Sequence, residues 1–114
     1  MIPKIQYQQQ RNKGREYKVA DIIFAAKDLP IEKVDIRLLD KWYNLGLDEQ
    51  DVTLVDVARK IKHVLSVDFK HPIIISDDGA VLDGKHRLTK ALYLGKKTVN
   101  VKILPIELMP PAID

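Results

Sequence analysis

A single compact α/β (α+β) domain, with a small mixed β-sheet flanked by helices, is the fold this chain predicts. Three observations carry that expectation. Pro72-Ile73-Ile74-Ile75-Ser76 is a continuous β-branched run, as in a strand buried on both faces. Val99, Val101 and Ile103 alternate with Thr98, Asn100 and Lys102, the period of a half-buried strand. Leu54, Val57, Ala58, Ile61, Val64 and Leu65 recur at helical spacing and define one apolar face. At 114 residues, 46% hydrophobic and 31% charged, the chain has the length for one core and the composition of a globular protein.

Taken in order, the elements begin with a polar leader. Residues 1–18 show no apolar periodicity and are expected to form a basic, flexible arm, leaving 19–114 as the domain. Ala20–Leu29 reads as a short helix ended by Pro30. Ile31–Ile36 reads as a strand, with Val34 and Ile36 set against charged neighbours. A short helix carrying Leu38, Leu39, Trp42 and Tyr43 is expected next, stopping near Gly46. Asp48–Asp51 is a polar linker. Thr53 and Asp56 then stand in the spacing of a capping box, which places a helix start just before Leu54. After the Ile73–Ile75 strand, Asp77-Asp78-Gly79 is a turn and Ala80–Leu82 a returning strand. Leu88, Ala91 and Leu92 mark a helix over about 84–94, ended by Gly95. The last strand stops at Pro105.

Several classes of function are set aside by composition. Without cysteine there are no disulfides, thiolate metal sites or cysteine nucleophiles. No apolar run approaches the ~18 residues of a membrane span, and the first residues lack a signal-peptide core, so a cytoplasmic protein is expected. His63, His71 and His86 lack zinc-ligand spacing. His63 is read as a contact at the edge of its helix and His71 as a loop residue.

Charge is distributed unevenly. Residues 1–20 hold Lys4, Arg11, Lys13, Arg15 and Lys18 against Glu16 alone, while 28–56 carry eight acids against Lys33, Arg37 and Lys41. Residues 85–106 contain Lys85, Arg87, Lys90, Lys96, Lys97 and Lys102 with no acid. An acid-free stretch of this kind favours an anionic partner.

The chemistry concentrates in Asp83-Gly84-Lys85-His86-Arg87, at a junction of strand and helix. A helix start offers unpaired N–H groups to an anion, and Gly84 removes the Cβ that blocks close approach. Arg87 can grip two phosphate oxygens and Lys85 adds a point charge. Asp83 has the chemistry for a Mg²⁺ ligand or a general base, and His86 for a proton donor or a phosphate ligand. The opposing reading makes Asp83 the N-cap of the helix, its carboxylate occupying the N–H groups a phosphate needs.

The stretch from His71 through Leu88, followed by Ala91-Leu92, Gly95-Lys96-Lys97 and Val99-Asn100-Val101, resembles the ParB/sulfiredoxin-like superfamily. The shared features are a Pro-Ile strand, a tight turn, an Asp-Gly-x-His-Arg box opening a helix, and a final strand. Residues 71–104 carry the resemblance, and Asp28–Ile36 fits the first strand only loosely. It implies binding of ATP, ADP or CTP phosphates at Gly84, Lys85, His86 and Arg87. Where sulfiredoxins place their reactive cysteine this chain has Lys85, which removes sulfinic-acid reduction. Partition proteins carry a second box arginine where this chain has Thr89, and they continue into a helix-turn-helix domain for which there is no room here. The box is similar to that of free-serine kinases and of small ParB-like nuclease proteins from phages and mobile elements. Glu32 and Asp35 are the candidates for the acidic residue those kinases carry near their first strand.

The expected function is therefore binding of a nucleotide or nucleic-acid phosphate, with Asp83 and His86 cleaving or transferring a phosphoester or phosphoanhydride and Mg²⁺ on Asp83. The alternative keeps the fold without the chemistry. It is then a DNA-binding module contacting backbone through the basic leader and residues 85–102, or a host-protein-binding module. A homodimer is a further expectation.

Overall fold

The computed structural model describes residues 9–12, 15–39 and 52–113. In chain order these form β1 (Gln9–Asn12), β2 (Arg15–Lys18), α1 (Val19–Ala25), β3 (Glu32–Asp35), a 3-10 turn (Ile36–Leu38), α2 (Leu54–Ser66), β4 (Ile73–Ser76), β5 (Val81–Asp83), α3 (Lys85–Tyr93), β6 (Thr98–Leu104) and a 3-10 turn (Ile106–Leu108). The architecture is mixed α/β, as expected. None of the described helices is long and apolar enough to cross a membrane.

The main sheet has strand order β3-β6-β4-β5. β6 pairs antiparallel with β3 and parallel with β4, while β4 and β5 form an antiparallel hairpin. The parallel pair requires a crossover, and β5 followed by α3 supplies it. Successive residues of β4 point to opposite faces of the sheet, and both faces are covered. Ile73 and Ile75 pack with Val81, Leu88, Ala91, Val99 and Val101 on the α3 side. Ile74 packs with Tyr17, Ile22, Ala26, Leu82 and Leu104 on the α1 side. Two cores on one sheet explain why the Ile73–Ile75 run has no polar position. Lys102, on β6, donates to the carbonyls of Ala26 (3.1 Å) and Lys27 (3.0 Å), placing a cation at the end of α1.

Four expectations change. Residues 9–12 and 15–18, expected within a flexible arm, pair as an antiparallel hairpin. Tyr17 is buried in the α1-side core, and the Glu16 carbonyl accepts from Ile113 N–H at 2.7 Å. The hairpin is tied to Ile113, distant in sequence, so local side-chain periodicity carries no trace of it. α1 ends at Ala25, with turns covering the remainder of the stretch before Pro30. The helix expected around Leu38 begins as the 3-10 turn, with the Asp35 carboxylate accepting from Arg37 N–H at 2.8 Å. Trp42, Tyr43 and the 48–51 linker lie outside the described residues.

The fourth change concerns α2. Its capping box is present, with Asp56 N–H donating to Thr53 Oγ1 and Thr53 N–H to the Asp56 carboxylate, both at 3.1 Å. Its apolar residues, however, divide between two faces. Val64 is buried and Val57 half-buried, whereas Leu54, Ala58, Ile61 and Leu65 face outward.

The turn between β4 and β5 is held by Ser76, whose hydroxyl bonds to the Asp78 carboxylate and accepts from Ala80 N–H at 3.1 Å. Gly79 adopts φ +88°, and a Cβ there would lie 2.5 Å from the Leu38 carbonyl oxygen. Turn chemistry thus accounts for Asp78, and Gly79 lets the hairpin approach the 3-10 turn.

Candidate functional site

The junction expected to carry the chemistry is built around Gly84. This residue is the N-cap of α3 at φ +103°, and no side chain caps the helix. Asp83 is therefore not an N-cap. Its carboxylate accepts the Gly84 backbone N–H and lies 3.8 Å from the Arg87 guanidinium. Burial raises the Asp83 pKa, and the opposing pull of Arg87, the Gly84 N–H and His71 does not cancel it. Arg87 also donates to the Pro72 carbonyl at 3.2 Å. A Cβ on Gly84 would stand 3.0 Å from Arg87 Nη1 and 3.2 Å from Ile73. The glycine makes room for this arginine and for β4.

The box does not act as one cradle, because α3 sends its residues to two sides. Lys85 and His86 turn toward α2. The His86 ring meets His63 edge-on at 4.7 Å between centroids. Burial, aided by His63, Lys60 and Lys85, lowers the His86 pKa to about 4. At neutral pH it is an uncharged imidazole. Its Nε2 is buried and has no hydrogen-bond partner among the described residues. The Lys85 pKa is also lowered, first by burial and then by Lys60. Farther along α3, Lys90 Nζ donates to the Val67 carbonyl at 2.6 Å and holds the end of α2 in place.

Arg87 turns the other way, into a cavity of about 210 Å³. Sheet register explains why the cavity exists. β4 starts opposite Val101, so Thr98–Asn100 meet no strand on that side of β6 among the described residues. Phe69, His71 and Ile73 close the far wall, and Lys33 and Lys96 join from β3 and from the turn before β6. Three cations and an imidazole thus line the space with Thr98 and Asn100, and no carboxylate of the described residues joins them. Lys33 is placed there because its register partner on β6 is Asn100. Lys96 stands 5.1 Å and Lys90 5.4 Å from the Phe69 ring centroid.

No family model, curated protein or solved structure matches this chain. What the site can do is therefore argued from its own residues.

Of the Asp83–Arg87 box, Arg87 alone lines the cavity, with Gly84 making space for its side chain and Asp83 bound to it. Lys85 and His86 belong to the contact with α2. Lys33 and His71 also line the cavity and were not singled out for phosphate contact, whereas Lys96 belongs to the 85–102 stretch expected to contact backbone phosphate. Lys96 falls in the acid-free stretch, but Lys33 lies in the acidic region and His71 reads as a loop residue. As a Mg²⁺ site Asp83 fits poorly. It is engaged by Arg87, and no group of three or more acidic or histidine side chains gathers among the described residues. Two nearby carboxylates are paired, Asp83 with Arg87 and Asp35 with Arg37 at 2.7 Å.

Proposed function

We propose that the protein binds a phosphate group in the cavity beside β6, as the phosphate of a nucleotide or of a nucleic-acid backbone. The observation that supports it is the convergence of Lys33, His71, Arg87 and Lys96 on one cavity with no carboxylate among the described residues of its lining. Arg87 offers a two-pronged donor, the lysines offer point charges, and Thr98 and Asn100 add neutral polar groups that orient an oxyanion. At about 210 Å³ the cavity is below the ~300–1,000 Å³ of sites that enclose a drug-sized ligand. It suits one phosphate with part of the group it is attached to. The rest of the ligand lies outside the cavity.

This is a reading of binding. Neither Asp83 nor His86 lines the cavity, so a cleavage or transfer step through them has no geometric support.

Calorimetric titration with ATP, ADP, CTP, GTP, inorganic phosphate and a short DNA duplex tests the proposal. Arg87→Ala and Lys96→Ala are each expected to weaken binding about tenfold or more, the size of a lost charge-assisted hydrogen bond. Lys85→Ala is expected to leave affinity nearly unchanged, because that side chain faces α2. Equal losses in Lys85→Ala and Arg87→Ala would move the site back to the helix start. A salt dependence with slope about −0.9 per neutralised phosphate identifies duplex nucleic acid as the source of the phosphate.

A further inference from the structure

The cavity beside β6 gives three cations to a space that suits a single phosphate. Arg87 comes from α3, Lys33 from β3 and Lys96 from the turn before β6, so they line one cavity from separate elements. Neither lysine is in an ion pair among the described residues. Lys96 stands 5.1 Å from the Phe69 ring centroid, and an aromatic face positions an ammonium without neutralising it. Arg87 is anchored by its bond to the Pro72 carbonyl at 3.2 Å, and Asp83, 3.8 Å from its guanidinium, offsets one charge. Three cations against that one carboxylate leave an excess of two positive charges, before any contribution from His71.

That excess separates two kinds of phosphate. A diester within a nucleic-acid backbone carries one charge and two free oxygens. A phosphate monoester carries about −1.5 to −2 at pH 7 and presents three acceptor oxygens. Proteins that follow a backbone meet its single charges with cations strung along a groove. We infer that the cavity takes a terminal phosphate monoester, the end group of a nucleotide or of a phosphorylated strand, in preference to a diester. The inference rests on the phosphate site proposed for this cavity and narrows its ligand. The guanidinium and the two ammonium groups supply a charged donor for each terminal oxygen. A diester leaves part of this charge unmatched, and its second substituent must also leave a cavity sized for one phosphate.

Calorimetry of the full chain at pH 8, where a monoester is a dianion, compares methyl phosphate with dimethyl phosphate. Methyl phosphate is expected to bind about tenfold more tightly or better, the size of a charge-assisted hydrogen bond. Lys33→Ala, at an exposed position of β3, is expected to narrow that ratio several-fold, because it lowers the excess to the single charge of a diester. A short single strand with a 5′-phosphate is expected to bind more tightly than the same strand with a 5′-hydroxyl. Comparison of that strand with AMP shows whether strand end or free nucleotide is the preferred source of the monoester. If neither methyl ester binds, or if binding survives Arg87→Ala, the inference and the phosphate site fail together. Equal affinity for the two esters, both lost in Arg87→Ala, overturns the inference alone and leaves the site to diesters. A 5′-hydroxyl strand that binds as tightly as the phosphorylated one, or a ratio unchanged in Lys33→Ala, overturns it as well.

Discussion

At His86 the imidazole is held neutral by burial and by the bases around it, with a pKa of about 4 against an ordinary value of 6.5. Between those values the unfolded chain binds a proton that the folded chain does not, so stability rises with pH across this window. Thermal unfolding followed by circular dichroism is expected to show a falling midpoint as pH drops from 6.5 toward 4. Asp83 acts in the opposite sense. Its folded pKa lies above the ordinary 3.8, so between these values the folded state holds the extra proton and stability falls as pH rises. His86→Leu separates the two, removing the first slope and leaving the second. The same substitution removes the unpartnered Nε2, and a gain of about 1 kcal/mol at pH 7 is expected from relieving an unsatisfied buried polar atom. A wild-type profile that is flat from pH 6.5 to 4 would show that the α2–α3 contact does not exclude the proton.

The elements differ in how much of their geometry is written locally. α2, β4, α3 and β6 were legible because period, capping box and turn residues all lie within a dozen positions. Which face of α2 is buried was not legible, because the choice depends on where α3 lies. The β1–β2 hairpin was not legible either, since polar strands lack alternation and its support comes from Tyr17 and the bridge to Ile113. Local devices give ordered predictions. Thr53→Ala is expected to cost about 1 kcal/mol through loss of the cap. Gly95→Ala meets no atom within 4 Å and pays only for φ +71°, about 1–2 kcal/mol. Gly79→Ala adds overpacking against the Leu38 carbonyl, a further ~1–3 kcal/mol. Denaturant unfolding of the three variants checks that order, and a Gly79→Ala variant no weaker than Gly95→Ala would mean the hairpin is not seated on the 3-10 turn.

For the molecule as a whole, topology rather than sequence proximity assembles the candidate site. Arg87 was legible because its chemistry sits in a short box. Lys33 and Lys96 are 63 positions apart and meet only because β3 pairs with β6. Lys33→Ala is therefore expected to lower phosphate affinity several-fold with little change in stability, since its side chain is exposed. Equal affinity in that variant would exclude β3 from the site. β6 has a position unlike any other strand. Among the described residues it is the last strand of the sheet in chain order, yet it lies inside, and β3 has no other partner there. A chain emerging from the ribosome thus holds β3 and the β4–β5 hairpin apart until Thr98–Leu104 is released. Two apolar layers wait unsealed through that interval, and the final strand closes both cores and brings the walls of the cavity together in one step. Synthesis order thereby leaves both layers waiting on β6, and the walls of the cavity meet only once that strand has been released.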